Sequence, residues 1–171
     1  AELPDVPNVI FMAGRKFGTT GNQSLTWAMN TYMPALVADR YRDAQIVALS
    51  TGNVYPLTPV DSKGPNEDHP TGPVGEYAQS CLGRERMFEY VSQQHNTPMA
   101  LIRLNYAIDL RYGVLLDVAS KVFADRPIDL AMGYANVIWQ GDANGAILRS
   151  LLHCTSPPRI LNLTGTEIIS I

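Results

Sequence analysis

With 171 residues, 46% of them hydrophobic and 17% charged, the chain has the make-up of one folded domain able to bury roughly 70% of its unfolded surface, not that of a disordered segment. Its formal net charge of -3 leaves no cationic surplus for a phosphate backbone, so nucleic acid is not expected as a partner. No apolar run approaches the roughly 20 residues that cross a bilayer, "AELPDVPNV" lacks the features of a signal peptide, and Cys81 and Cys154 stand alone. The expectations are no membrane span, a cytoplasmic location, no disulfide framework and no metal site.

In chain order, "NVIFMAG" (8–14) is the first of four continuous apolar runs, followed by "QIVALST" (45–51), "MALIRLNY" (99–106) and "RILNLTG" (159–165). Continuous rather than alternating hydrophobicity marks strands covered on both faces of a parallel sheet. Between the first two runs, Leu25, Met29, Tyr32, Met33, Leu36 and Val37 fall at helical spacing, which predicts a crossover helix kinked by Pro34. A loop rich in proline, glycine and charge, "PLTPVDSKGPNEDHPTGPVGE" (56–76), leads into a second helix from about Glu76 to His95. Loops of that length in compact domains are usually functional or disordered. Past Tyr106 the pattern changes: "GVLLDVASKVFA" reads as a helix, "IDLAMG" and "NVIWQG" as short strands, and "DANGAILRSLLH" as a helix with Asp142 as its N-cap. Alternating strands and helices predict an α/β layered fold.

Ligands of open parallel sheets bind beyond the carboxyl ends of the strands. Ala13 and Gly14, Thr51 to Tyr55, and Asn105 with Tyr106 all fall at such ends. Read without further context, Ser50 and Thr51 could equally satisfy backbone groups at a strand end, and Cys81 could be a small buried hydrophobe. His69, His95 and His153 are scattered, and no GxSxG elbow is present, which argues against a serine hydrolase.

Taken together and in order, "DVPNVIFMAG", the helix carrying Asn30, "IVALSTGNVYP", "PVGEYAQSCLGRERMFE", "MALIRLNYAIDLRYG", "NVIWQGDAN" and "PPRILNLTGTE" resemble the extended short-chain dehydrogenases/reductases, the NAD-dependent epimerases and dehydratases of nucleotide sugars. The resemblance implies an incomplete Rossmann-like parallel sheet with flanking helices over 1–112. A small substrate-side element with one returning strand would occupy 113–171. It implies an NAD(P)-dependent oxidoreductase, epimerase or dehydratase in which Thr51, with Ser50 beside it, and the catalytic Tyr77 hold the reacting oxygen. NAD or NADP would meet Ala13, Gly14, Asn30 and Asn105, and a nucleotide-sugar substrate would meet Asn53, Tyr55, Tyr106 and Arg111. Pairing of the helices that begin near Asn22 and Glu76 would make a homodimer.

Two departures stand out. The family's lysine, four residues after the tyrosine, is here Cys81, a thiol that offers no positive charge to a phenolate. A free tyrosine ionises near pH 10, so a phenolate at neutral pH needs a shift of about 3 units, roughly 4 kcal/mol. Arg84 shares the face of Tyr77, but two turns along a helix is about 10 Å. The family's glycine-rich phosphate turn has no counterpart either, since "AGRKFGTTGN" leads from a middle strand; the expectation is a fragment lacking the N-terminal glycine-rich half. Three readings stay open: such an enzyme, a non-catalytic dinucleotide-binding or scaffold protein, and altered chemistry in which water or a substrate group replaces the lysine.

Overall fold

The computed structural model describes residues 3–16, 21–62, 64–130 and 133–171. The elements run β1 (Asn8–Phe11), α1 (Gln23–Trp27), a π-helical turn (Ala28–Tyr32), α2 (Met33–Arg40), β2 (Gln45–Thr51), α3 (Gly75–His95) and β3 (Met99–Leu104). They continue with β4 (Tyr106–Ile108), α4 (Val114–Phe123), β5 (Tyr134–Trp139), α5 (Gln140–Arg149), β6 (Arg159–Leu163) and β7 (Ile168–Ser170). Four strands form one parallel sheet in the order β1-β2-β3-β6, with Ile46 opposite Met99 and Thr51 opposite Leu104. The four apolar runs are these four strands.

Alternation along each strand sends its side chains to two separate cores. Ile46, Ala48, Met99 and Leu101 pack with Phe11 against Ala38 of α2 and Phe88 and Val91 of α3. Val47, Ala100 and Ile102 face the other way, onto Ile147 of α5 and the flanking Leu151 and Leu163. Phe88, Ile46, Met99, Leu101 and Ile102 are all but sealed from solvent, and each contributes about 1.5–3 kcal/mol by leaving water. Burial on both faces is why the runs read as unbroken hydrophobicity.

The predicted kink at Pro34 takes the form of the π turn just before it, where the Met33 N–H reaches the Ala28 carbonyl. Proline has no N–H for the Asn30 carbonyl four residues back; the Arg84 side chain donates to that oxygen instead, at 3.3 Å. This stretch lies tightly on α3. A Cβ at Gly83 would meet Thr31 Oγ1 at 2.8 Å, while Thr31 Oγ1 donates to the Ser80 carbonyl at 2.9 Å. α3 closes on Asn96 in the left-handed conformation, φ 56°.

Several expectations shift in detail. The first strand stops at Phe11 rather than Gly14, and the third run splits, with Tyr106 leaving for a second sheet of order β4-β5-β7. That second sheet therefore begins before residue 113, and α5 covers the first sheet. Residues 128–130 and Gly133 of "IDLAMG" form no strand, the two between them lying outside the described residues. Asp142 is not an N-cap: α5 starts at Gln140, so Asp142 sits in its first turn, and Trp139 at the cap makes no side-chain bond there. The long loop folds back on the sheet, where Glu67 accepts the outward N–H of Asn162 on edge strand β6 at 2.7 Å and the Pro65 carbonyl accepts its amide at 3.2 Å. Among the described residues no helix is long and apolar enough to cross a membrane.

Candidate active site at the carboxyl end of the sheet

β2 ends at Thr51, whose Oγ1 accepts the Asn53 N–H at 3.2 Å and so caps the short turn Gly52–Val54. The backbone-satisfying use of Thr51 is thus real, and it does not exclude a second one. α3 brings Tyr77 to the same place, in contact with the Thr51 hydroxyl and, one turn along, with the Cys81 thiol. Burial pushes the Tyr77 phenol far above its usual range and Cys81 adds to the rise, while Thr51 and the Arg84 charge pull it back only in part. Cys81 is 1% exposed. Burial raises its thiol too, Arg84 and the bond to Tyr77 oppose the rise, and Glu85 adds to it.

Arg84 enters this cluster by a route that distance along a helix axis does not reveal. Its guanidinium folds under the sheet end, donating to the Leu49 carbonyl at 2.7 Å, the Asn30 carbonyl at 3.3 Å and Asn30 Oδ1 at 3.1 Å. Asn30 is fully buried. Its amide donates to Ser80 Oγ at 3.1 Å and toward Cys81 Sγ at 3.9 Å, while its Oδ1 also accepts the Arg15 N–H at 2.8 Å. Gly14 closes over this group: a Cβ there would stand 2.4 Å from Arg84 Nη2 and 2.8 Å from Asn30 Oδ1, so only glycine lets the backbone approach so closely. Of the four residues expected to meet a dinucleotide, Gly14 and Asn30 are thereby joined, Ala13 is exposed beside them, and Asn105 lies at the end of β3, its amide on Thr164 Oγ1 at 3.2 Å.

A second polar cluster starts at Glu85, one turn along α3 from Cys81. Glu85, fully buried, accepts from Arg103 Nη2 at 2.7 Å, from Arg103 Nε at 3.1 and 3.3 Å, and from the Ser50 hydroxyl at 2.5 Å. Arg103 continues to the Tyr55 hydroxyl at 2.6 Å, which donates to Asn162 Oδ1 at 2.9 Å. Burial works against the Arg103 charge, but the Glu85 carboxylate overrides it and holds the guanidinium more firmly protonated than usual. Ser50 and Tyr55, expected at the reacting oxygen and the substrate, are thus engaged inside the protein. A charged residue within an apolar run, as Arg103 is in "MALIRLNY", is the sequence signal for such a network.

The remaining expected substrate residues are more open. Asn53 is half-buried, Tyr106 exposed, and the Arg111 side chain, 90% exposed, reaches Asp109 at 3.2 Å. The Arg111 backbone N–H and then its guanidinium hold the Asp109 carboxyl below its usual range.

No known protein family and no curated protein is matched by the sequence. Solved structures are matched closely in shape. UDP-glucuronic acid 4-epimerase from Bacillus cereus, in complex with NAD, superposes with a TM-score of 0.84 over 97% of this chain and 56% of its own, at 15% identity. The fold is that of the nucleotide-sugar epimerases and dehydratases. RMD from Pseudomonas aeruginosa, complexed with NADPH, gives a TM-score of 0.82 at 17% identity over 99% of this chain and 63% of its own. dTDP-glucose 4,6-dehydratase from Bacillus anthracis, in complex with NAD, gives 0.79 at 14% identity over 97% and 54%. The chain spans little more than half the length of these epimerase- and dehydratase-fold structures.

Proposed function

We propose that this chain is part of an NAD(P)-dependent oxidoreductase, epimerase or dehydratase acting on a nucleotide sugar, with Tyr77 and Thr51 at the reacting oxygen. The observation that carries the reading is the meeting of the Tyr77 and Thr51 hydroxyls at the carboxyl end of β2, where parallel sheets of this kind bind ligands. The exposed end of β1 at Ala13 and Gly14, built over Asn30, fits the nicotinamide side of a dinucleotide; these residues include no glycine-rich turn for its pyrophosphate. When bound, NAD or NADP supplies a hydride acceptor. On this reading the Thr51 hydroxyl orients the substrate oxygen and the Tyr77 oxygen exchanges its proton. Asn53, Tyr106 and Arg111 line the approach for the sugar nucleotide. Operation in the cytoplasm suits two cysteines left as free thiols.

The test is turnover of a panel of nucleotide sugars by the complete protein and by its Tyr77→Phe variant, followed at the nicotinamide absorbance band. Loss of turnover in the variant is expected; an unaffected rate overturns the assignment. Dinucleotide binding without any absorbance change across the panel turns the reading into that of a binding or scaffold protein. The same proposal includes a homodimer through α2 and α3. In its support, Ala35 and Asp39 face Met87, Tyr90 and Val91 across a groove of about 450 Å³, with Leu36 and Tyr90 exposed beside it at 53% and 61%. A monomeric mass in solution, read by light scattering, removes that part.

A further inference from the structure

Among the described residues, Arg84 is a buried cation without an anion within ion-pair distance. Its side chain is turned inward at 7% exposure, stacked over the Phe11 ring at 5.7 Å, and every bond it makes goes to a neutral oxygen. Among the described residues no carboxylate lies within ion-pair distance of it, although Glu85 is its neighbour in sequence; that carboxylate is turned to Arg103. Buried charges are normally paired, so an uncompensated guanidinium leaves a positive field in a poorly screened place. Tyr77 and Cys81 are ionisable groups within that field.

Asn30 connects them. Its oxygen accepts from Arg84 Nη2 and its amide donates toward Cys81 Sγ. An amide N–H can donate to sulfur but not accept from it, so this bond favours the thiolate over the thiol. A cation on the amide oxygen polarises the same group and makes its N–H a better donor. Cys81 in turn lies against Tyr77, and Tyr77 against Thr51. The result is one line of contacts from the buried guanidinium to the hydroxyls at the sheet end. We infer that Arg84, acting through Asn30, is the positioning cation of this site, taking over from the lysine absent at Cys81 by favouring negative charge on the joined Tyr77–Cys81 pair. The inference rests on the reading of Tyr77 as the group that exchanges a proton with substrate.

Two other titratable groups of the described residues that stand near the pair do not supply this role. Glu85, on the same helix, disfavours a thiolate and is matched by Arg103 of β3. Tyr55, from the turn after β2, packs on Cys81 but has its hydroxyl tied to Arg103 and Asn162.

The experiment is an alkaline titration of the unliganded chain, following the ultraviolet bands of thiolate and tyrosinate in a Cys154→Ala background. Arg84→Met is expected to move the first ionisation of the Tyr77–Cys81 pair up by about one pH unit, a tenfold change in its constant, and Arg84→Lys to restore part of it. An Arg84→Met chain with native circular dichroism and an unmoved titration overturns the inference. Should that variant not fold, two single-cysteine chains carry the same test. Cys154 Sγ donates to the Ile46 and Ser150 carbonyls, and burial pushes its thiol up to about 11; Cys81, more deeply buried, is expected to ionise at the lower pH of the two. The reverse order overturns the inference. Because the titration needs no turnover, it fails or succeeds separately from the nucleotide-sugar reading.

Discussion

Arg84 and Glu85 are neighbours on α3, both buried, and the protein treats their charges in opposite ways. Glu85 is enclosed by complementary groups: Arg103 on two nitrogens, the Ser50 hydroxyl, and beyond Arg103 the chain of Tyr55 and Asn162. Arg84 donates to the backbone carbonyls of Leu49 and Asn30 and to the Asn30 amide oxygen, all of them neutral. A buried ion pair holds when its geometry is good and its remaining lone pairs are satisfied, and the Glu85 cluster meets both conditions. The Arg84 cluster is complete in hydrogen bonds and incomplete in charge. The difference separates a polar network that fastens α3 to β2, β3 and β6 from one that biases protonation at the end of the sheet.

Four substitutions sharpen or break that comparison. The largest effect is expected on the open side: Tyr77→Phe in the complete protein should lower kcat by on the order of 10²–10⁴-fold while the thermal midpoint stays near wild type. An undiminished kcat would place Tyr77 outside the chemistry. On the closed side, Arg103→Met strands a fully buried carboxylate and should cost about 3–5 kcal/mol of stability in denaturant unfolding; a loss below about 1 kcal/mol would mean that the network does not hold the helix to the sheet. Adding a second cation to the Arg84 cluster with Cys81→Lys should favour the phenolate of Tyr77. Because that phenol now ionises too high, the rising limb of the pH–rate profile should move down by about one unit or more; an unmoved limb with unchanged activity would show that position 81 does not act on Tyr77. The smallest effect is Ser50→Ala, which removes one of several donors to Glu85 and should cost about 1 kcal/mol with kcat unchanged. A large fall in kcat with little change in stability would return Ser50 to the reacting oxygen.

The four parallel strands were legible because strands buried on two faces must be apolar at every position, and "QIVALST" and "RILNLTG" carry that signal without help from the rest of the chain. The helix from Glu76 to His95 was equally plain, and the meeting of Thr51 with Tyr77 followed from family resemblance. Hydrophobicity does not mark where one sheet ends and another starts, so "MALIRLNY" hid the break between Leu104 and Tyr106. Nor does proximity in sequence to Thr51 say which way a side chain turns. Ser50 and Tyr55 flank it and both answer to Glu85 and Arg103 instead.

By itself the sequence determined the layered α/β arrangement, the four strands of the first sheet and the helix that carries Tyr77 with Cys81 one turn along, since periodicity and residue identity are local properties. Only the tertiary structure decided the electrostatics of the site. Whether Arg84 and Glu85 neutralise each other, or meet Asn30 and Arg103 as they do, depends on what packs against each side of α3, and burial makes that choice count by removing the solvent that would otherwise screen it.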